Sequence, residues 1–271
     1  MTASITDLPH ALRDEDRLRE RLGYAQPAVF TDYDGVLTPI VDRPQDARIS
    51  ASMRDVLRGL ASRCPVCVVS GRDRADVQEL MGIDDLVVAG SHGFDIWSPE
   101  AGTLEHEAGG AQEGLIEEVT EELRQVIGDV PGVAIEPKKV SVAAHYRLVA
   151  DDGDRAKVRD AVQRLLDERP DELKMTPGKM VYELQPKLDW DKGRAVLYLI
   201  DALDLDRDDV MPLYLGDDIT DEHAFEALEG RGIGIFVGSH DDPELGGRAT
   251  AADFVLDSVA EVERFLDGLA R

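Results

Sequence analysis

The stretch that decides the fold is residues 28–38, which reads AVFTDYDGVLT. Its start, residues 28–32, is a short and nearly continuous apolar run, which predicts a strand buried on both faces. Asp32 and Asp34 lie two positions apart at the end of that strand, so their side chains are expected to point the same way. Ligands of open α/β sheets bind beyond the carboxyl ends of the strands, so the stretch predicts a polar site at this edge.

The carboxylate pair points to a bound cation. Two carboxylates this close repel each other unless a cation lies between them, and Mg²⁺ prefers hard oxygen ligands. A calcium loop that opens in the same way would need Glu at its twelfth position. Arg43 occupies that position, which argues against calcium. A plain polar turn after a strand is the structural alternative.

Strands and helices alternate on either side of this stretch. Further buried strands are predicted at 66–70, 86–90, 212–216, 233–237 and 254–256. Amphipathic patterns predict helices at 52–63, 75–81, 193–203, 221–228 and 259–269. The alternation predicts an α/β fold with a Rossmann-like parallel sheet.

The middle of the chain has a different pattern. Half-exposed strands are predicted at 133–136, 140–147, 173–175 and 179–184, with helices at 112–127 and 154–167. Such a set is typical of a compact α+β unit inserted into the parallel-sheet domain. We therefore predict a core domain of residues 1–103 and 187–271 and an inserted cap domain of residues 104–186.

Three more motifs lie at predicted strand ends or helix starts. Ser70 follows the second strand, and its hydroxyl could donate a hydrogen bond to a phosphoryl oxygen. Lys192 precedes a helix and would add positive charge to the helix N-terminus. Asp217, Asp218 and Asp221 open another helix, where a second group of metal ligands could lie. Taken singly, these motifs are also explained by a turn, a surface lysine and helix-capping acids.

The order of the four motifs resembles the haloacid dehalogenase superfamily of phosphatases. The resemblance implies that Asp32 is the nucleophile and Asp34 the general acid and base. It also implies that Ser70 and Lys192 are catalytic residues that bind the phosphoryl group. The implied Mg²⁺ site comprises Asp32, Asp34, Asp217, Asp218 and Asp221. Val36 replaces a Thr that is often found in the first motif.

Further motifs narrow the resemblance to the trehalose-6-phosphate phosphatase family. They are GSHG at 90–93, EPK at 136–138, AHYR at 144–147 and GKMVYELQP at 178–186. The resemblance implies hydrolysis of trehalose 6-phosphate to trehalose and phosphate, with the inserted unit acting as a cap that reads the disaccharide. His145 and Arg147 are expected to share one face of a strand. The implied substrate-binding residues are Arg72, His92, Glu136, Lys138, His145, Arg147, Lys179 and Glu183.

Other functions stay open at this point. Related phosphatases act on sucrose phosphate, mannosyl-phosphoglycerate, glucosylglycerol phosphate or trehalose-like pseudodisaccharides. A phosphomutase on the same fold and a non-catalytic sugar-binding module are further alternatives.

The composition bears on partners and location. The chain has 271 residues, with 30 basic against 56 acidic ones and a formal net charge of −26, which argues against nucleic acid and anionic membranes as partners. The polar N-terminus lacks the pattern of a secretion signal, and no apolar stretch reaches the ~18–20 residues that span a bilayer. We expect a cytoplasmic monomer that binds a small phosphorylated disaccharide. Cys64 and Cys67 are expected to be buried, reduced thiols.

Overall fold

A computed structural model describes residues 3–41, 43–104, 113–138, 140–178, 180–188, 190–239, 245 and 247–270. The chain divides into two compact units. We call Met1–Leu104 with Trp190–Arg271 the core unit, and Glu105–Asp189 the inserted unit. Lys179 lies outside the described residues.

The core unit is built on an eight-stranded sheet. In spatial order its strands are β14 (Phe254–Leu256), β12 (Ile233–Val237), β11 (Val210–Gly216), β2 (Gln26–Thr31), β3 (Val66–Val69), β4 (Val87–Gly90), β5 (Asp95–Ser98) and β6 (Gly102–Leu104). The first six run parallel, whereas β5 and β6 extend the sheet in antiparallel fashion. A separate two-stranded antiparallel ribbon joins β1 (Ala3–Ser4) to β13 (Ala249–Thr250).

Helices cover both faces of this sheet, because its central strands are apolar on both sides. In β2, Val29 packs toward one face and Phe30 toward the other, and both are fully buried. On the Val29 face lie α1 (Glu15–Leu22), α2 (Ala51–Ala61), α3 (Arg74–Met81) and α8 (Val259–Leu269). On the Phe30 face lie α6 (Lys192–Ala202) and α7 (Glu222–Ala227). The double burial explains why the strands read as nearly continuous apolar runs.

The inserted unit is a four-stranded antiparallel sheet with helices on one face. The strand order is β7 (Ala134–Pro137), β8 (Val142–His145), β10 (Val181–Pro186) and β9 (Leu173–Gly178). The helices are α4 (Glu113–Ile127) and α5 (Asp152–Glu168), and they pack on the sheet through a cluster that includes Leu123, Val162 and Leu184. Strand alternation turns Glu136, His145 and Glu183 to the opposite face.

The predicted fold class, a parallel-sheet α/β core with an inserted α+β unit, is confirmed.

One strand is shorter than predicted, because β8 ends at His145. The Tyr146 N–H donates to the Met180 carbonyl at 3.1 Å, and the Val149 N–H then donates to the Tyr146 carbonyl at 3.1 Å, which closes a turn. Arg147 lies in that turn, so the expectation that it shares a strand face with His145 is wrong.

Candidate active site

Three neighbouring strands deliver polar side chains to one edge of the core sheet. Asp32 follows β2, Ser70 follows β3 and Asp217 follows β11. The Asp32 N–H donates to the Leu215 carbonyl at 2.9 Å, and the Ser70 N–H donates to the Ala89 carbonyl at 2.8 Å, so both backbones continue the ladder. The three side chains therefore lie at the carboxyl edge of the sheet, where the Asp32 stretch predicts the site.

Lys192 joins two of the carboxylates in the interior. Its Nζ donates to Asp32 Oδ2 at 2.6 Å and to Asp221 Oδ1 at 2.7 Å. The lysine is 2 % exposed and Asp221 is 0 % exposed. Burial lowers the Lys192 pKa, but the charges of Asp32 and Asp221 outweigh it and leave the pKa raised. Lys192 is therefore a buried cation fixed at the start of α6, not a surface lysine.

The helix that carries Lys192 begins with a side-chain cap. Asp191 is the N-cap residue, and its Oδ1 accepts from the Arg194 N–H at 2.9 Å. This bond satisfies one of the free N–H groups at the helix start and fixes where α6 begins. The cap thus sets the position from which the Lys192 side chain reaches the carboxylates.

Asp221 holds the acidic loop together. Its Oδ1 also accepts from the Tyr214 hydroxyl at 2.6 Å, and its Oδ2 accepts from the N–H groups of Asp217 and Asp218, each at 3.0 Å. With Lys192, four protein donors occupy the roughly four acceptor positions of one carboxylate. Asp218 is exposed, and its Oδ1 accepts from the Ile219 N–H at 2.6 Å.

The site carries more negative charge than Lys192 offsets. Carboxylate oxygens of Asp32, Asp217 and Asp221 lie within 4.8 Å of one another, as they would around a metal ion. Burial, with the charges of Asp32 and Asp221, raises the pKa of Asp217 to about 8. Burial raises the pKa of Asp32 to about 6, although Lys192 opposes the shift. A hard divalent cation fits this oxygen donor set.

Gly35 is required beside Asp217. It has a φ of +71°, and a Cβ there would lie 1.9 Å from Asp217 Oδ2. A larger residue would force Asp217 out of the site, which explains the Gly that follows the carboxylate pair.

Asp34 is held by Arg72. The Arg72 Nε donates to Asp34 Oδ2 at 2.6 Å and its Nη2 donates to Asp34 Oδ1 at 2.7 Å. The hydrogen bonds that Arg72 donates to Asp34 raise the pKa of Arg72. The Arg72 N–H donates to Ser70 Oγ at 3.2 Å, so the two residues share one turn after β3.

His92 lies next to the same turn. Its N–H donates to the Ser70 carbonyl at 2.8 Å, and a Cβ at Gly71 would lie 2.7 Å from His92 Cε1. Ser91 and His92 have φ values of +51° and +57°, an uncommon backbone for residues other than glycine. Such strained positions cluster at functional sites.

A cavity of about 970 Å³ opens in the core unit beside some of these groups. Asp32, Asp34, Arg72 and Asp217 line its polar part, while exposed Ile40 is among its apolar lining residues. The cavity is therefore wide enough for a polar ligand with apolar faces, such as a sugar.

The inserted unit gathers its own polar set on the helix-free face of its sheet. Glu183 Oε1 accepts from Lys138 Nζ at 3.1 Å and from the Ser141 hydroxyl at 2.7 Å. His145 Nε2 and Glu136 Oε2 lie 2.8 Å apart. The structure thus brings together the predicted residues Glu136, Lys138, His145 and Glu183 within this unit.

Sequence reasoning missed Tyr214 and Ser141. Tyr214 interrupts an otherwise apolar strand. Because a buried tyrosine hydroxyl needs a hydrogen-bond partner, this residue could have been predicted to bond to a nearby polar group. No sequence signal pointed to Ser141, because its contact with Glu183 depends on the pairing of β8 with β10.

Comparisons with known proteins identify the family of this chain. Residues 30–260 match the family model for trehalose-phosphatase. A trehalose-phosphate phosphatase of Mycobacterium tuberculosis is 43 % identical over 98 % of this chain and 67 % of the relative. The structure of the Aspergillus fumigatus trehalose-6-phosphate phosphatase is 30 % identical, with a TM-score of 0.68 over 97 % of this chain and 98 % of that one.

A third similarity concerns the fold alone. The C-terminal domain of the Candida albicans trehalose-6-phosphate phosphatase is 24 % identical, with a TM-score of 0.72 over 97 % of this chain and 98 % of that one.

The family model and the M. tuberculosis relative confirm the predicted enzyme class, a phosphoric monoester hydrolase. The chain therefore belongs to the trehalose-phosphatase family.

Proposed function

We propose that the chain hydrolyses trehalose 6-phosphate to trehalose and inorganic phosphate through a phosphoryl group carried on Asp32, with Mg²⁺ as cofactor. The observation that carries the proposal is the meeting of Asp32, Lys192, Asp217 and Asp221 at the carboxyl edge of the core sheet. Family membership supports the reaction and the substrate class.

In the first half-reaction, an Asp32 carboxylate oxygen forms a bond to phosphorus while the bond from phosphorus to the sugar oxygen breaks. Asp34 gives its proton to the departing sugar oxygen. Asp32 is held for attack because one oxygen accepts from Lys192 and the other accepts from the Tyr33 N–H at 2.6 Å. Holding the nucleophile in place lowers the entropic part of the barrier.

In the second half-reaction, a water oxygen bonds to phosphorus and the bond from Asp32 to phosphorus breaks. Asp34, now ionised, takes the water proton and so returns to its starting state. Ser70 and Lys192 bind the phosphoryl oxygens in both halves, as a hydroxyl donor and a cation respectively.

Asp32, Asp217 and the backbone carbonyl of Asp34 would hold the Mg²⁺. When bound, the ion offsets charge on the phosphoryl oxygens and on the clustered carboxylates. Asp221 has a supporting role in this proposal, because Lys192, Tyr214 and two backbone N–H groups already occupy its oxygens. Asp218 supports the loop as the partner of Ile219.

The inserted unit is proposed to read the sugar. Carboxylates accept hydrogen bonds from sugar hydroxyls, and the Lys138 ammonium and the His145 ring can donate them. The polar face formed by Glu136, Lys138, His145 and Glu183 supports this role. His92 in the core unit is proposed as a further contact, and Arg147 and Lys179 stay predictions from the resemblance.

A substrate panel tests the proposal. Phosphate release would be measured with trehalose 6-phosphate, sucrose phosphate, mannosyl-phosphoglycerate and glucosylglycerol phosphate, each with Mg²⁺ and with EDTA. We expect the highest kcat/KM for trehalose 6-phosphate and no turnover with EDTA. A higher kcat/KM for another compound would show that this compound, and not trehalose 6-phosphate, is the preferred substrate. Undiminished turnover without metal would contradict the mechanism.

Location and assembly stay predictions from the sequence. No helix among the described residues is long and apolar enough to cross a membrane. We propose a cytoplasmic protein that acts as a monomer, and sedimentation equilibrium of the purified chain would test the monomer.

A further inference from the structure

We propose that Arg72 is a positioning residue for Asp34 and not a contact for the substrate. This inference rests on the proposed function, because it concerns the residue that gives and takes the proton. It departs from the sequence-based prediction, which placed Arg72 among the substrate-binding residues.

The geometry between the two residues is a two-bond fork. Both Asp34 oxygens accept from different Arg72 nitrogens, at 2.6 Å and 2.7 Å. Two parallel bonds from a planar guanidinium fix the position and the rotation of a carboxylate, which a single bond cannot do. Asp34 is thus held in one orientation.

Arg72 is itself fixed by its surroundings. Its Nη1 donates to the Pro44 carbonyl at 2.8 Å, and its guanidinium carbon lies 5.8 Å from the centre of the Tyr33 ring. The side chain is 19 % exposed. Each of the three guanidinium nitrogens therefore already donates within the core unit, which leaves Arg72 poorly placed to turn toward a phosphate.

The Asp34 side chain depends on Arg72 for its position. Among the described residues, Arg72 supplies the hydrogen bonds that the Asp34 carboxylate accepts. The Asp34 side chain is 36 % exposed, so packing holds it less than it holds the buried Asp32. Without the fork, rotation about its side-chain torsions would carry the carboxyl group away from the reacting oxygen.

A pair of substrates separates positioning from binding. The sugar oxygen of trehalose 6-phosphate needs a proton to depart, whereas p-nitrophenolate departs without one. If Arg72 acts through Asp34, Arg72→Lys should lower kcat/KM for trehalose 6-phosphate by about 10–100-fold, because a misplaced acid keeps little of its effect. The kcat/KM for p-nitrophenyl phosphate should change by less than about threefold, since only the first half-reaction determines it.

A burst of nitrophenol release in the first turnover gives a second test of the role of Arg72. With p-nitrophenyl phosphate, Arg72→Lys should release about one nitrophenol per chain quickly and then turn over slowly, because the second half-reaction needs Asp34 as base. In an Asp34→Asn background, Arg72→Lys should have no further effect, since residues that act as a unit are not additive.

Arg72→Gln, which removes the charge, serves as the second variant, and circular dichroism checks that each variant folds. Equal losses of kcat/KM on both substrates, or a further loss in the Asp34→Asn background, would overturn the role of Arg72. Turnover that survives Asp32→Asn would instead overturn the proposed function, so the two failures are distinguishable.

Discussion

At the scale of single residues, Asp217 lies among carboxylates whose negative charge the nearby cation offsets only in part. Its pKa in the folded chain is about 8, against an ordinary value of 3.8. The folded protein therefore binds a proton that the unfolded chain releases over this range. The resulting stability is present in full below a pH of about 3.8 and is lost as the pH rises through about 8.

The prediction concerns the metal-free protein. We compare the Tm of the EDTA-treated wild type with that of EDTA-treated Asp217→Asn. From about pH 5 to about pH 8, the wild-type Tm should fall by more than about 4 °C relative to the variant. Each kcal/mol of unfolding free energy shifts Tm by roughly 2–4 °C for a chain of this size. Excess Mg²⁺ should remove the difference by neutralising the carboxylates. Thermal unfolding followed by circular dichroism measures it. A Tm difference that does not change with pH would contradict the charge argument.

The sequence was most informative for the residues at strand ends. Asp32, Ser70 and Asp217 were placed correctly at the sheet edge because a short apolar run followed by a polar residue shows where a buried strand ends. The pairing of Asp34 with Arg72 was not predictable, because it joins side chains from two turns that are distant in sequence. Only the packed turns determine which donors reach Asp34.

At the scale of elements, the N-cap of α6 positions Lys192. Asp191→Ala removes the bond to the Arg194 N–H, which should cost about 1 kcal/mol of stability. It should also lower kcat several-fold, because a frayed first turn displaces the Lys192 ammonium from Asp32. Chemical denaturation measures the stability, and phosphate release measures kcat.

Ser50→Ala is the matched control for that change. Ser50 caps α2 by accepting from the Met53 N–H at 2.9 Å, so its loss should cost similar stability. Because α2 carries no residue of the site, kcat should stay within about twofold of the wild-type value. Equal kcat losses in the two variants would show that general destabilisation, and not the position of Lys192, is responsible.

Elements with strong periodicity were predicted and weak ones were not. Strands β2, β3, β11 and β12 lie close to their predicted bounds because each contains a run of mainly apolar residues. Helix α1 was missed, since Leu18 is its one buried residue and Leu22 is the only other apolar residue in it. Strand β5 was missed because Asp95 and Ser98, which are buried, do not resemble an apolar run.

At the scale of the whole molecule, the proposal divides the work between the two units. The core unit holds the reacting groups, and the inserted unit is proposed to choose the sugar. Glu183→Gln should therefore lower kcat/KM for trehalose 6-phosphate by about 10–100-fold, because charge-assisted hydrogen bonds are each worth roughly 1.5–3 kcal/mol. The kcat/KM for p-nitrophenyl phosphate, which carries no sugar, should change little.

Arg164→Ala serves as the control within the same unit, because Arg164 lies exposed on α5. It should leave both substrates unaffected. If Glu183→Gln lowers kcat/KM for the two substrates alike, the inserted unit does not act through sugar recognition.

The central claim is that Asp32 carries the phosphoryl group. The most direct measurement uses Asp34→Asn with p-nitrophenyl phosphate, in which departure needs no acid but water attack lacks its base. After rapid acid quench and proteolysis, mass spectrometry should find about one phosphoryl group per chain, on the peptide and residue of Asp32. A nitrophenol burst without phosphate bound to the protein, or with phosphate on another residue, would contradict the account.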